Sequence, residues 1–261
     1  MANTARQFAA EDRAQGHDSS VTNDLAALDA TADVVYLHGA WLPILWRAAK
    51  RVKRLDAKLV IRPAGSYDPV RLAYHGWKKR FVAFFEHRML MRADVVLATC
   101  PAEADWIRDY EPQVKKIEMT DLKRFFRIDK GLTIPIRRAS SALHVLYLGR
   151  RHPLKGVEFL EQAVEDLGGA ELRVVSNAFG EEKERVWDWC DVLVLPTLSE
   201  NFGRVVAEAL ERGKRVITTD GAPVWGDGND YGGRLIYLKG YRDGSDENRV
   251  ALLKKAIVVS R

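Results

Sequence analysis

Short apolar runs alternate with longer amphipathic stretches along the chain, and this rhythm predicts strand–helix units that assemble into parallel sheets. The predicted strands are residues 33–38, 58–62, 94–99, 114–118, 143–148, 171–176, 191–195 and 214–218. The predicted helices are residues 43–55, 69–91, 101–110, 155–167, 181–189, 203–211 and 247–259. The pattern therefore indicates an α/β protein.

One segment interrupts this rhythm and divides the chain in two. Residues 123–142 contain Gly131, Pro135 and the pair Ser140-Ser141 among several charges, a composition typical of a connection between domains. We therefore predict a first domain over residues 1–130, a linker over 131–142 and a second domain over 143–261. A chain of 261 residues has room for two small domains.

The charge is uneven between the two predicted domains. Residues 1–140 hold 24 Lys and Arg against 17 Asp and Glu, whereas residues 141–261 hold 17 against 19. The excess is greatest over residues 47–92, where 13 basic residues face three acidic ones. Such a surface favours an acidic partner, namely anionic lipid head groups, a phosphorylated acceptor or nucleic acid, although solvated helix faces would give the same pattern.

Composition also bears on the cellular compartment. The first 32 residues are polar, and no apolar run approaches the roughly 20 residues that cross a bilayer, so we expect neither a signal peptide nor a transmembrane helix. Cys100 and Cys190 lack the CxxC spacing of a metal or redox site. They are predicted to be buried thiols of a cytoplasmic protein.

A first loop carries residues suited to binding a diphosphate. Gly149, Arg150 and Lys155 lie between a predicted strand and a predicted helix, where the ligands of parallel sheets bind. Glycine lets the backbone approach a ligand, arginine can hold phosphate oxygens bidentately, and lysine adds a point charge. The alternative interpretation is a solvated basic loop.

A second loop follows the apolar run 192–195 and leads into the predicted helix 203–211. Glu200 lies in the loop and Glu208 lies eight positions on, a rise of about 12 Å along a straight helix, so the two carboxylates could hold opposite ends of one ligand. Free backbone amides at Gly203 would face a diphosphate. The alternative is that Glu200 caps the helix and Glu208 is a surface residue.

These motifs together resemble the GT-B glycosyltransferases called group 1, or family 4, over most of residues 33–226. The family pattern of Gly-Arg, Lys-Gly and Pro-Ser-x-x-Glu-x-Phe-Gly, with a second Glu eight positions later, corresponds here to Gly149-Arg150, Lys155-Gly156, Pro196-Thr197-Leu198-Ser199-Glu200-Asn201-Phe202-Gly203 and Glu208. The resemblance implies an α/β, GT-B-like fold with two Rossmann-like domains that face a cleft and are both smaller than usual.

The same resemblance implies a role for each matched residue in binding a nucleotide-sugar donor. Gly149, Arg150 and Lys155 would hold the donor diphosphate. Glu208 would hold the ribose. The donor sugar would be held by Glu200 together with Asn201, Phe202 and Gly203.

Two stretches of the first half resemble the acceptor side of one branch of the family. Residues 61–69 resemble its Pro-Arg-Gly-Met-Leu loop, and residues 34–41 resemble its strand and His-Gly loop. The resemblance implies that His38, Gly65 and Ser66 face the acceptor. The alternative is that these residues pack beneath the loops.

The sequence departs from the family in two places. Residues 5–22 resemble the first helix and the Gly-His start of the second strand, so the opening strand and glycine-rich loop are missing and we expect a first sheet with an exposed edge. Residues 176–187 are brief where the family places another strand and helix that help to hold the nucleotide base. The base is therefore not assigned.

The resemblance implies a retaining glycosyltransferase that needs neither metal nor cofactor, with Arg150, Lys155 and Glu200 as its catalytic residues. It would move a sugar from a nucleotide-diphosphate donor to a saccharide or lipid-linked acceptor, in cell-surface polysaccharide or lipopolysaccharide synthesis at the inner face of the cytoplasmic membrane. The alternative is a catalytically inactive accessory subunit with the same fold. A nucleic-acid partner is not expected, because the basic run carries no recognisable motif.

Overall fold

The computed structural model describes residues 2–74, 76–129, 142–229 and 231–260. The chain divides into two compact units, residues 1–121 and 122–261, and each is built on a parallel sheet. The predicted linker, residues 131–142, lies outside the described residues except for Ala142. Residues 122–129, which the sequence assigns to the first domain, belong to the second unit.

The described part of the first unit contains a four-stranded parallel sheet in the order β1-β2-β3-β4. The strands are β1 (Val34–His38), β2 (Lys58–Arg62), β3 (Val95–Ala98) and β4 (Ile117–Met119). The helices are α1 (Ala2–Ala14), α2 (Pro43–Val52), α3 (Pro69–Ala73), α4 (Gly76–Arg92) and α5 (Pro101–Tyr110). The predictions for β2 and α5 are confirmed to the residue, and the other predicted strands are confirmed with shifted ends.

Two predictions for the first unit are wrong. The predicted helix 69–91 is two helices, because Tyr74 adopts an extended conformation (φ −68°, ψ 114°) that ends α3. The resemblance placed the start of a strand at Gly16-His17, but Gly16 turns the chain with a φ of +88°, and the described residues 15–33 form no strand.

The first sheet ends at β1, as the missing opening strand led us to expect. β1 pairs with β2 on one side, and Val34 and Tyr36 remain exposed. Phe8 of α1 contacts this strand, with its ring centroid 6.1 Å from that of Tyr36 and 5.6 Å from that of His38. A helix therefore covers part of the side chains at this edge.

A buried carboxylate organises the core of the first unit. Glu86 of α4 accepts hydrogen bonds from the Trp41 amide (3.1 Å), the Trp46 indole (2.5 Å) and the Tyr67 hydroxyl (2.6 Å). Burial raises the pKa of Glu86, and the three donors oppose that shift. The carboxylate thereby ties α4 to α2 and to the loops that follow β1 and β2.

The described part of the second unit contains a five-stranded parallel sheet in the order β6-β5-β7-β8-β9. The strands are β5 (Leu143–Leu148), β6 (Ala170–Val175), β7 (Val192–Leu195), β8 (Arg215–Thr219) and β9 (Leu235–Leu238). The helices are α6 (Val157–Glu165), α7 (Gly180–Trp189), α8 (Arg204–Glu211) and α9 (Asp246–Val259). All of these except β9 were predicted from the sequence, with ends that differ by at most two residues.

The segment 122–129 is packed on the second unit. The ring of Phe126 stacks on that of Phe202, with centroids 5.7 Å apart. The buried guanidinium of Arg234 donates a hydrogen bond to the carbonyl of Asp129. These contacts explain why the segment belongs to the second unit although it precedes the predicted linker.

Both cysteines are buried free thiols, as predicted. Burial raises the pKa of Cys190 to about 12 and also raises that of Cys100, so both thiols stay protonated. Within the described ranges, no helix has the length and the hydropathy needed to cross a bilayer.

The first prediction concerns Glu86. Replacing it with alanine leaves one buried and two partly buried donors without an acceptor, so the free energy of unfolding of the first unit should fall by about 3 kcal/mol. Urea denaturation followed by tryptophan fluorescence measures this change. Asp109→Ala, at an exposed carboxylate of α5, is the control. Equal effects of the two substitutions would contradict the role of Glu86.

Candidate functional site

The second sheet has a topological switch point between β5 and β7. From β5 the chain crosses to β6 on one side of the sheet, and it then returns to form β7 on the other side of β5. Ligands of open parallel sheets bind at the carboxyl ends of the strands at such a point, because the following loops diverge there. The two loops that follow β5 and β7 are residues 149–156 and 196–203.

The two loops are joined through their backbones. The carbonyl of Leu154 accepts hydrogen bonds from the Leu198 amide and the Thr197 hydroxyl, both at 3.0 Å. Gly156 has a φ of +60°, and a β-carbon there would lie 2.2 Å from the carbonyl oxygen of Pro196. Only glycine allows this approach.

Lys155 and Glu200 meet where the loops join. Their Nζ and Oε2 atoms are 2.5 Å apart, and the side chains are 17% and 21% exposed. Lys155 also donates to the Ser199 carbonyl at 3.3 Å, and Glu200 accepts the Asn201 amide at 3.0 Å. The structure therefore brings together two predicted site residues that are 45 positions apart in the sequence.

Arg150 lies exposed in the same loop after β5, five positions before Lys155. Its carbonyl accepts a hydrogen bond from the Tyr147 hydroxyl at 2.8 Å, and Gly149 donates to the Val175 carbonyl at 2.9 Å. Burial, together with the charge of Glu200, raises the pKa of Tyr147 to about 12, which keeps this hydroxyl a donor. Among the described residues, the guanidinium of Arg150 takes part in no ion pair, whereas that of neighbouring Arg151 binds Glu161.

The start of α8 is fixed by the loop before it. Gly203 is the N-cap residue, with φ +63° and ψ +61°, so the cap is not Glu200. Asn201 and Phe202 are buried, and the Phe202 carbonyl accepts the Trp225 indole N–H at 2.5 Å. The first amides of an eight-residue helix are thereby presented at the same edge of the sheet.

Glu208 is the fifth residue of α8, just over one turn from its start, and it is not a fully exposed surface residue. Its Oε2 atom is 2.7 Å from Nζ of Lys183 on α7, and its side chain is 19% exposed. Sequence reasoning missed Lys183, because nothing in the local pattern of α7 distinguishes it from the charged residues around it.

The predicted acceptor residues lie at the carboxyl ends of β1 and β2. Gly65 has a φ of +73°, and its amide donates to the buried Glu103 at 2.5 Å. The Ser66 hydroxyl donates to the Pro63 carbonyl at 2.5 Å. The Trp41 indole donates to the Ser66 carbonyl at 3.3 Å, which joins the two loops.

His38 ends β1 opposite Arg62 of β2. Burial, and the positive charge of Arg62, lower the pKa of His38 to about 4, so the imidazole is neutral at physiological pH. Arg62 and Glu103 are buried charges at this edge that the sequence analysis did not select as site residues. In the sequence, Arg62 could have been recognised as a cation that directly follows the apolar run 59–61 at the end of β2.

The second prediction concerns Gly156. Replacing it with alanine should destabilise the second unit by about 2 kcal/mol or more, because the added β-carbon overlaps the Pro196 carbonyl in a left-handed backbone conformation. Thermal unfolding measures the loss. Gly168→Ala is the matched control, since a β-carbon there meets no atom within 4 Å. A similar melting temperature for both variants would show that the loops are not packed as described.

Comparison with known proteins supports the resemblance. The family described as Glycosyl transferase 4-like domain matches residues 5–120. No curated protein sequence matches the chain. Sucrose-phosphate synthase from Thermosynechococcus elongatus is similar in structure, with a TM-score of 0.62 and 15% identity over 98% of this chain and 68% of that one.

Two further structures are similar at the level of the fold. Alr3699/HepE from Anabaena in complex with UDP has a TM-score of 0.58 and 14% identity, over 86% of this chain and 73% of that one. The lipopolysaccharide outer core galactosyltransferase WaaB has a TM-score of 0.58 and 17% identity, over 88% of this chain and 68% of that one. Residues 5–120 thus match a glycosyl transferase 4-like domain, and the two parallel sheets give the chain the GT-B fold of these glycosyltransferase structures.

Proposed function

We propose that this protein transfers a sugar from a nucleotide-diphosphate donor, with retention of anomeric configuration, and that its second unit holds the donor. The observation that carries the proposal is the ion pair between Lys155 and Glu200 at the switch point of the second sheet. A structurally similar protein, Alr3699/HepE, binds UDP and UDP-glucose. The same class of ligand fits a site made of cations, amides at a helix start and carboxylates.

The donor diphosphate would be held by cations and amides from both loops. Arg150 offers a bidentate guanidinium beside Gly149, Lys155 offers a point charge, and the amides at Gly203 and the start of α8 face the same edge. A diphosphate at this place competes with Glu200 for Lys155. Binding would therefore release Glu200 to accept hydrogen bonds from hydroxyls of the donor sugar, which couples recognition of the diphosphate to recognition of the sugar.

Glu208 would hold the ribose. It lies five positions beyond Gly203, about one and a half helical turns or roughly 7 Å along α8, whereas Glu200 lies in the loop before the helix. A nucleoside diphosphate sugar is elongated on this scale. Lys183 pairs with Glu208 and keeps its carboxylate beside α7, where it can accept a second hydrogen bond from a ribose hydroxyl.

Catalysis would be mainly electrostatic. The bond between the anomeric carbon and the diphosphate oxygen breaks, the acceptor oxygen bonds to the same face of that carbon, and the acceptor proton passes to the leaving diphosphate. Arg150 and Lys155 stabilise the negative charge that develops on the diphosphate, and Glu200 positions the sugar. This mechanism uses no metal and no cofactor.

The acceptor would bind the first unit. His38 is neutral and its imidazole can hydrogen-bond a sugar hydroxyl, while Gly65 and Ser66 lie in the loop that follows the neighbouring strand β2. The basic residues over 47–92 favour a lipid-linked or phosphorylated acceptor at an anionic membrane. We therefore propose a cytoplasmic enzyme of cell-surface polysaccharide or lipopolysaccharide synthesis that works at the inner membrane face.

A catalytically inactive accessory subunit is the second candidate. The observation in its favour is the first sheet, whose described part has four strands and ends at β1. Such a subunit would keep the fold and show no turnover with any donor and acceptor. Absence of donor binding, in addition to absence of turnover, would favour the accessory subunit over the enzyme.

The third prediction compares two adjacent arginines. Arg150→Ala should weaken binding of the cognate nucleoside diphosphate by roughly tenfold to a hundredfold, because it removes a charged donor from the phosphates. Isothermal titration calorimetry with uridine, guanosine and adenosine diphosphates identifies the base and measures the loss. Arg151→Ala should change the affinity little, since the Arg151 side chain binds Glu161.

The comparison also tests where the diphosphate binds. Lys155→Ala should weaken binding as Arg150→Ala does, and the melting temperature of each variant checks that the fold is kept. Unchanged affinity in both variants would reject the proposed site. Equal losses in Arg150→Ala and Arg151→Ala would indicate a general effect of surface charge.

A further inference from the structure

Helix α4 is apolar on two opposite sides. On its inner side, Met89 and Leu90 are fully buried. On its outer side, four aromatic residues are exposed: Trp77 (63%), Phe81 (78%), Phe84 (63%) and Phe85 (51%). A helix at the surface of a globular protein normally presents polar residues to water, so an apolar second side indicates that something covers it.

The exposed aromatic residues form one surface. Positions 77, 81, 84, 85 and 88 fall on one side of a helix at 3.6 residues per turn. The ring centroids of Trp77 and Phe81 are 6.1 Å apart, and those of Phe84 and Phe85 are 5.6 Å apart. We call the surface made by these four rings and Arg88 the outer face of α4.

Cations surround this face. Nζ of Lys78 lies 5.4 Å from the ring centroid of Trp77, and the Arg88 guanidinium lies 5.4 Å from that of Phe84. Helices α2 and α3 pack against α4, and the three helices carry three, one and five basic residues. The acidic residue in their sequences is Glu86, which is fully buried.

We propose that the outer face of α4 docks the protein on an anionic lipid bilayer, with the aromatic rings inserted at the interface and the cations on the head groups. Tryptophan and phenylalanine combined with lysine and arginine suit this boundary, where one side of a helix meets acyl chains and its flanks meet phosphate. A second copy of the chain fits less well, because a symmetric contact would place Arg88 and Lys78 against like charges.

The proposal deepens the membrane association proposed above by naming the surface and the mode of contact. Basic residues alone would give binding that salt removes, because surface electrostatics are screened within about 8 Å at physiological ionic strength. Inserted rings add a contribution that salt does not screen. The structure therefore predicts binding that weakens with salt and yet remains measurable at high salt.

The fourth prediction uses vesicle sedimentation with the full chain. Phosphatidylcholine vesicles with about one third phosphatidylserine should bind the wild-type protein, and vesicles of phosphatidylcholine alone should bind it more weakly. Phe81→Ser and Phe84→Ser should each weaken binding roughly tenfold or more. Phe179→Ser, at an equally exposed ring of the second unit (79%), is the matched control and should bind as the wild type does.

Three results would overturn the proposal. These are no binding of the wild type to anionic vesicles, equal loss in Phe179→Ser, and wild-type binding in Phe81→Ser and Phe84→Ser. Dimerisation of the wild type that Phe81→Ser abolishes, seen by analytical ultracentrifugation, would assign the face to a second copy instead.

Titration of the nucleoside diphosphate in the same variants separates this proposal from the proposed function. The variants should bind the nucleotide normally. Loss of vesicle binding with normal nucleotide affinity supports the docking surface. Vesicle binding without nucleotide affinity would leave the docking surface standing and reject the donor site.

Discussion

The ion pair between Lys155 and Glu200 is the interaction on which the candidate site depends. It joins the loops that follow β5 and β7. The hydrogen bond to the Leu154 carbonyl and the close approach at Gly156 fix the distance between those loops. The attraction in a partly buried ion pair must offset the loss of hydration of both ions. The pair therefore contributes more to the positions of the two side chains than to the stability of the fold. Here it places a cation and a carboxylate at the switch point of the sheet, where either can exchange its partner for a ligand.

The two units fix their loops by different means. In the second unit, the backbone contact at Gly156 and the left-handed conformation of Gly203 set the loop positions, and the charged side chains remain partly exposed. In the first unit, the buried carboxylates of Glu86 and Glu103 hold the loops after β1 and β2 through amide, indole and hydroxyl donors. Burying a carboxylate costs free energy unless its oxygens are fully hydrogen-bonded. The conformation of these loops therefore depends on a few side chains.

The sequence was sufficient to predict the alternation of strands and helices and the loops that carry Lys155 and Glu200, because both signals are local. The break at Tyr74 was missed because the apolar pattern runs through it, although Gly76, where α4 begins, is a glycine inside the predicted helix. β9 is only four residues long, and its apolar pattern is too short to predict a strand. The partners of Glu86 and Glu208 are set by tertiary packing, which brings residues such as Tyr67 and Lys183 to them from other elements.

A crystal structure of the protein with its cognate nucleoside diphosphate tests the central claim most directly. We expect the diphosphate to contact Arg150 and Lys155 and to lie against the start of α8, with a ribose hydroxyl on Glu208 and with Glu200 displaced from Lys155. A nucleotide bound elsewhere, with the pair of Lys155 and Glu200 intact and Glu208 bonded to Lys183 alone, would contradict the account.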